Sequence, residues 1–376
     1  MGNNWKQALN FLRSVEESSS DIVQSKLRSG NYIKVIAGIL FTIVLKDYSV
    51  YISGTHSLCG LLLDKYVKYG RVDSFTRINF DKLLSSSSSC HVDNILVYDV
   101  SALYRHAAFI TQSGEVFTCG NNSSGCCGDG GGGGGGDIDN RILRPRLVEG
   151  ALKGIPCKQV VVGYKFTVFL TRDGRVYTCG RNNHSQLGHG DSVDRPTPTI
   201  VESLVDCVVV QVSAGLTFTL AVTSDGNLYS FGSGEDDGCL GHGVEQNELR
   251  PRLVDFFKRR DIHILRVSAG LSHVVALDSS GLVYTWGRGV TGQLCNGGYI
   301  NHLSTPHLVN HLKSQIAIQK LFMFRHVDNE EENDDERDGD DDDDKDTIRK
   351  DTAVLAAHGV RSCRVRRPSK IMVYDG

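Results

Sequence analysis

Eleven cysteines occur in this chain without a single C-x-x-C pair, so the spacing of neither a zinc knuckle nor a thioredoxin-type centre is present. The count is odd and no signal peptide is legible, which together predict a reducing intracellular compartment, cytoplasmic or nuclear. Long apolar runs are also missing. The strongest, VIAGILFTIVL at 35–45, lies between Lys34 and Lys46 and is far short of the roughly 20 residues that span a bilayer as a helix. The chain opens Met1-Gly2, but Lys6 stands where a myristoylation signal needs Ser or Thr, so no membrane attachment is expected. The thirteen histidines include no H-E-x-x-H, and no Lys-Ser or Lys-Thr follows the glycine run 130–136 to complete a phosphate cradle. No metal or cofactor is expected.

Glycine is what the chain has in excess: 41 in 376 residues, against an average share of about 7%. The run at 130–136 reads as a flexible loop over 128–140, but most of the others recur at regular places. Charge is divided unevenly. The net charge is −3, yet 328–346 holds 14 acidic and 2 basic residues, leaving +9 on the remainder. With almost no apolar residue to offset its ordering entropy, an insertion at 328–350 is predicted to be disordered. Its Asp334, Asp335, Glu336, Asp340, Asp341, Asp342, Asp343 and Asp344 form a candidate loop for a basic protein partner. A solvated loop is the plainer alternative, and direct nucleic-acid binding through it is not expected.

A repeat organises the body. VSAGLSHVVALDSSGLVYTWG (267–287) aligns without gaps with VSAGLTFTLAVTSDGNLYSFG (212–232), VVVGYKFTVFLTRDGRVYTCG (160–180) and VSALYRHAAFITQSGEVFTCG (100–120). A further copy, VIAGILFTIVLKDYSVYISG (35–54), is one residue shorter. After each comes a glycine-rich element, LGHG at 187–190 and 240–243, and then a proline-centred stretch such as RPRLV at 144 and 250. The distance from Pro145 to Gly163, Pro196 to Gly215 and Pro251 to Gly270 is 18 or 19 residues, as one structural unit repeated in space produces.

Each unit carries the chemistry of antiparallel strands. Ser113-Gly114, Asp173-Gly174, Asp225-Gly226 and Ser280-Gly281 are hairpin turns, where glycine adopts positive φ at little steric cost. The flanking residues are rich in Val, Leu, Thr, Tyr and Phe, which suit pleated half-buried strands. Gly38, Gly163, Gly215 and Gly270, with Gly120, Gly180, Gly232 and Gly287 at the close of each copy, are structural glycines. The first set would let backbones crowd where units converge. Units of four strands predict an all-β β-propeller of four-stranded antiparallel blades.

The pattern V-x-A-G-x-x-[HF]-[TV], D-G-x-[VL]-Y-[TS]-[WFC]-G and Q-L-G-x-G resembles the repeat of the regulator-of-chromosome-condensation family over about residues 31–325. The resemblance implies seven blades. About six copies are readable: the sixth has Arg325 in place of its anchor glycine, takes the acidic insertion, and resumes as DTAVLAAHG at 351–359. An incompletely closed propeller over 31–376 with an exposed sheet edge is expected, preceded by a short helical lead-in at 1–30 spaced by Trp5, Leu9, Leu12 and Val15.

Other candidate chemistry dissolves into the repeat. His106 and His273 stand where Phe166 and Phe218 stand in other copies, and Cys119 and Cys179 where Phe231 and Trp286 stand; interchange with aromatics predicts packing. Gly287-Arg288-Gly289-Val290-Thr291-Gly292 fits G-x-G-x-x-G by letter, but a dinucleotide site requires a following helix. The function expected is a non-enzymatic protein-interaction scaffold. The alternative that the resemblance implies is a guanine-nucleotide exchange factor for a Ran-type small GTPase with chromatin association. A plant ultraviolet-B receptor of the family uses clustered tryptophans, and with only Trp5 and Trp286 here photoreception is not expected.

Overall fold

The computed structural model describes residues 33–310, apart from 38–40, 56–70, 79–94, 131–139, 236 and 298–299. Outside the described residues lie the lead-in, Gly38, most of the glycine run, the sixth copy and the acidic insertion with Asp334, Asp335, Glu336, Asp340, Asp341, Asp342, Asp343 and Asp344.

Among the described residues, five four-stranded antiparallel sheets follow one another. The first joins β1 (Ile33–Ala37), β2 (Phe41–Lys46), β3 (Ser49–Thr55) and β4 (Arg71–Arg77). The second joins β5 (Val97–Leu103), β6 (His106–Thr111), β7 (Val116–Asn121) and β8 (Arg141–Leu147), and the third β9 (Cys157–Val162), β10 (Phe166–Thr171), β11 (Val176–Gly180) and β12 (Arg195–Ile200). The fourth contains β13 (Val209–Ala214), β14 (Phe218–Thr223), β15 (Leu228–Gly232) and β16 (Glu248–Leu253). The fifth contains β17 (Ile264–Ala269), β18 (His273–Asp278), β19 (Val283–Arg288) and β20 (His302–Leu308). Each sheet is a propeller blade whose strands pair in sequence order.

The sequence dictates this locally. Gly114, Gly174, Gly226 and Gly281 sit between the second and third strands at φ +97, +91, +77 and +79. In the third blade the Gly174 amide donates to Thr171 O at 3.1 Å and Thr171 N to Arg175 O at 3.0 Å. The shorter first copy loses its residue here: Asp47 and Tyr48, both at positive φ, make a two-residue turn that pairs Lys46 with Ser49. Pro145, Pro196, Pro251 and Pro306 all fall on the outermost strand of their blade, where a missing amide costs least. In β6, β10, β14 and β18 every residue is buried. A second strand covered on both faces by neighbouring blades needs no polar alternation.

Successive blades meet first through their innermost strands, β1 with β5, β5 with β9, β9 with β13 and β13 with β17. Side chains bridge these unpaired edges. Gln159 grips Val212, accepting from its N (2.9 Å) and donating to its O (3.0 Å). Gln211 does the same to Val267 at 3.0 and 2.9 Å, and Lys34 reaches Asp99 at 2.6 Å between the first two blades. The hydroxyls of Ser101 and Ser213 accept from Val162 N and Ala269 N.

The glycine-rich element of one blade then packs onto the next. A Cβ at Gly188 would lie 2.8 Å from the Phe231 ring, and one at Gly241 3.0 Å from Trp286 Nε1. Trp286 Nε1 donates to Cys239 O of the preceding blade at 2.8 Å, and Cys179 Sγ, at the same repeat position, approaches Cys126 O at 3.4 Å. Within each blade a buried hydroxyl of the third strand closes the element from beneath: Thr118 to Cys127 O, Thr178 to Leu187 O, Ser230 to Leu240 O and Thr285 to Leu294 O.

Candidate interaction surface

Because strands alternate in direction, each blade sends two kinds of connection to opposite faces. The anchor connection between first and second strands and the longer glycine-rich connection between third and fourth emerge on one face. The hairpin turns and the crossings between blades emerge on the other. Tyr164 N donates to Leu216 O at 3.2 Å and Leu216 N to Leu271 O at 2.9 Å, so the anchor connections of three successive blades are tied together on one rim.

The anchor glycines Gly163, Gly215 and Gly270 start this rim. Each donates its amide three residues on, to the carbonyl of Phe166, Phe218 or His273. A Cβ there would come within 1.9–2.2 Å of that residue's own ring. The nearest obstacle is thus a ring of the same blade. Backbone convergence between blades lies one residue further on, at Tyr164, Leu216 and Leu271. Gly120, Gly180, Gly232 and Gly287 are held differently, at φ +113, +106, +109 and +93. Their would-be Cβ atoms lie 2.2–2.5 Å from the carbonyl oxygens of Arg105, Lys165, Thr217 and Ser272. The pairing of third and fourth strands is irregular at these positions.

The rim carries cations over aromatic rings. Tyr104 and Tyr164, in adjacent anchor connections, lie 5.2 Å apart at 53°. The Arg105 guanidinium sits 4.9 Å above the Tyr104 ring, and Lys165 Nζ 5.5 Å above Tyr164. Arg181 and Arg288 follow the closing glycines and donate their amides to Lys165 O and Ser272 O, each at 2.8 Å. The sequence signal for this rim was weak, since the fourth blade has Thr217 and Ser233 at the two positions. Among the described acidic groups at this face, Asp129 pairs with Arg146 (3.5 Å), Asp191 with Arg195 (2.7 Å), Glu245 with His302 (2.6 Å) and Glu248 with Arg252 (2.5 Å), while Asp194 accepts from Asn182 N and Glu235 from Asn247 Nδ2.

The remaining candidate groups are structural. His106 is buried, with Nε2 3.0 Å from the Thr167 hydroxyl, and Thr167 donates to Cys126 O at 2.7 Å. His273 is buried in the fifth blade. Cys119 and Cys179 are fully buried, and burial holds the Cys179 thiol well above the usual range. Burial likewise lowers His189 and His242 to about 4. Their Nε2 atoms lie 3.0 and 2.9 Å from Thr178 and Ser230 hydroxyls. Gly287 to Gly292 begins inside strand β19, and the next element is strand β20, not a helix. Among the described residues no helix is long and apolar enough to cross a membrane.

Comparison with known proteins agrees with the repeat. The family profile described as Regulator of chromosome condensation (RCC1) repeat matches residues 113–170, 173–222, 225–277 and 280–322, together more than half of the chain. The probable E3 ubiquitin-protein ligase HERC4 of Mus musculus is 32% identical over 214 residues, which is 57% of this chain and 19% of that protein. The chain thus spans about a fifth of the length of the first curated relatives it matches. Human WBSCR16 superposes with a TM-score of 0.60 at 23% identity, covering 74% of this chain and 67% of the other. Prp20p from Saccharomyces cerevisiae, a structure presented with its binding properties to Gsp1p and histones, gives a TM-score of 0.59 at 19% identity over 77% and 66%. Those two likenesses show the propeller fold. With blades in the structure at the positions the profile matches, the chain belongs to the Regulator of chromosome condensation (RCC1) repeat family.

Proposed function

We propose that the protein is a non-enzymatic interaction scaffold, a rigid RCC1-repeat propeller that offers its face connections to partner proteins. The observation that carries this reading is the employment of the chemically capable groups. His106, Thr167, Cys179 and Trp286 hold one blade to the next through buried hydrogen bonds. The residues that differ most from copy to copy are instead those of the connections. The similarity to ubiquitin ligases extends over 19% of HERC4 alone, so ligation chemistry is not carried over. The acidic insertion, 14 acidic residues within 328–346, supports a basic protein as one partner class, a histone or a ribosomal protein.

The experiment sets scaffold against exchange factor. Ran loaded with a fluorescent nucleotide is mixed with a molar excess of the full chain, and the rate of nucleotide release is followed. The scaffold reading expects no acceleration. A clear rise, abolished by substitutions in one face connection, replaces it with exchange activity. In parallel, capture of partners by the full chain and by a variant lacking 328–346 tests the acidic insertion. Binding that depends on it should weaken steeply as rising salt shortens the Debye length from about 10 to 3 Å.

A further inference from the structure

We propose that the inner edge of the hairpin face, where the second, fourth and fifth blades present Leu96, Tyr98, Val208, Val210 and Leu265, is a docking site for an uncharged apolar segment of a partner protein. The proposal rests on the scaffold reading and assigns one partner chemistry to one of its faces.

The site is built by a bulge that recurs at one repeat position. In β5, β9, β13 and β17 the pairing with the second strand skips one residue: Tyr98, Lys158, Val210 and Leu265. A residue left out of the ladder has its side chain re-aimed, and here it turns out of the core between blades. The neighbours Val97, Val209 and Ile264 are buried, whereas Tyr98, Val210 and Leu265 are 49%, 44% and 54% exposed. The first blade has no such bulge, since Ile33 to Ala37 pair with Lys46 to Thr42 in an unbroken ladder. Each bulge is pinned where its strand begins. Val97 N, Cys157 N, Val209 N and Ile264 N donate to Tyr48, Gly114, Gly174 and Gly226 carbonyls of the preceding blade at 2.8–3.1 Å. Two residues before Tyr98 and Val210, the side chains of Leu96 and Val208 are exposed as well. Large apolar side chains in water at matching positions of successive blades form a patch, unlike scattered single exposures. Their backbone is already fixed, which lowers the entropic cost of association.

The surroundings select an uncharged occupant. The polar side chains beside the bulges are engaged within the fold. Gln159 and Gln211 clasp the next blade, Lys34 holds Asp99, and Lys158 Nζ donates to Val209 O at 3.1 Å. Charges on the described turns and crossings of this face are of both signs and pair locally. Lys153 lies 3.8 Å from Glu149, Arg175 3.3 Å from Asp173 and Arg259 3.1 Å from Asp255. Glu115 and Asp225 accept from the Ser113 and Thr223 hydroxyls of their own hairpins. Arg266 follows Leu265, but Asp261 and His263 stand on the same approach to β17, and Asp206 stands just before Val208. Among the described residues this edge therefore offers no field of one sign to attract an acidic peptide or a phosphate backbone. Burial of the exposed apolar side chains is the favourable contribution that remains.

The test selects a phage-displayed library of random peptides of about ten residues on the full chain, then titrates the most enriched peptide by fluorescence anisotropy. Enriched sequences are expected to carry several large aliphatic or aromatic side chains and no net charge. Their Kd should change by less than about twofold between about 0.1 and 1 M salt, because no ion pair is made. Val210→Ser combined with Leu265→Ser should raise Kd by about tenfold or more, equivalent to about 1.4 kcal/mol. Val193→Ser combined with Val244→Ser removes apolar side chains 62% and 45% exposed on the anchor face and should leave Kd within about twofold. Tyr98→Ser serves as a second site variant, and the urea midpoint of each protein is measured alongside. Absence of enrichment on the native chain overturns the proposal, as does equal weakening by the two double variants. Enrichment of charged peptides, or binding that weakens steeply with salt, overturns it in favour of an ionic ligand. Self-association by sedimentation that disappears in the Val210→Ser and Leu265→Ser variant overturns it in favour of a second copy of this chain. A failed selection beside successful partner capture leaves the scaffold reading standing and removes only this site.

Discussion

Gly281→Ala and Gly287→Ala lie in the same blade, both at positive φ, and separate two demands for glycine. Gly281 closes the β18–β19 hairpin at φ +79, and a Cβ there meets nothing within 4 Å. Alanine then carries only the left-handed backbone penalty, about 1–2 kcal/mol. Gly287, at φ +93, would place a Cβ 2.5 Å from Ser272 O and 2.8 Å from His273 Cα. Both obstacles are backbone, so no rotamer change relieves them. The left-handed conformation costs about 1–3 kcal/mol. The shift needed to clear the contact breaks the 2.8 Å bond from Arg288 N to Ser272 O, worth about 0.5–1.5 kcal/mol. It also displaces the fully buried Trp286, for which overpacking adds about 1–3 kcal/mol. The expected loss is about 2.5–7.5 kcal/mol, about 1.5–4.5 kcal/mol more than for Gly281. Urea unfolding in a Trp5→Phe background, which leaves Trp286 as the only tryptophan, reads the difference as a lower midpoint at unchanged slope. Equal losses for the two variants refute the assignment of Gly287 to steric closure against β18.

His189 and His242 have folded pKa values of about 4, below the ordinary 6.5. The unfolded chain therefore takes up protons first, and stability is complete above about pH 6.5 and lost as pH falls toward 4. After allowance for the part of each ring still in water, about 1–2 kcal/mol per histidine is expected; a double His→Gln variant with the same urea midpoints at pH 7 and 5 relative to native would contradict this. Gln211→Ala removes both bonds to Val267 and should cost about 1–3 kcal/mol, with faster hydrogen exchange at the Val267 amide. Gln211→Glu should cost at least as much, since it sets a carboxylate against the Val267 carbonyl; a neutral effect of both sinks the clasp. Among the eight described cysteines Cys295 is exposed and should alkylate first, while Cys179, buried with its thiol pKa raised, should resist until unfolding. Peptide mass spectrometry that finds Cys179 modified at the rate of Cys295 refutes its core placement.

The sequence by itself determined the blades. Four gap-free copies set the register of first, second and third strands, the D-G and S-G pairs marked the hairpins, and the prolines marked the outer strand, because turn geometry and a missing amide are local demands. It also pointed to packing roles for His106, Cys119 and Cys179, through their exchange with aromatic residues at matching positions, and all three are buried. Only the tertiary structure decided how blades hold one another. The Gln159 and Gln211 clasps, the seating of Gly241 against Trp286 and the reach of Thr167 to Cys126 O join residues about 40 to 56 apart in sequence. No periodicity within one copy reports such contacts. It likewise decided which ring makes Gly163, Gly215 and Gly270 necessary, an aromatic or histidine of the same blade rather than a neighbour's backbone. The shared face of Arg105, Lys165, Arg181 and Arg288 became visible there too, because they are scattered in the chain and fall on one side of the blades only through the alternation of strand direction.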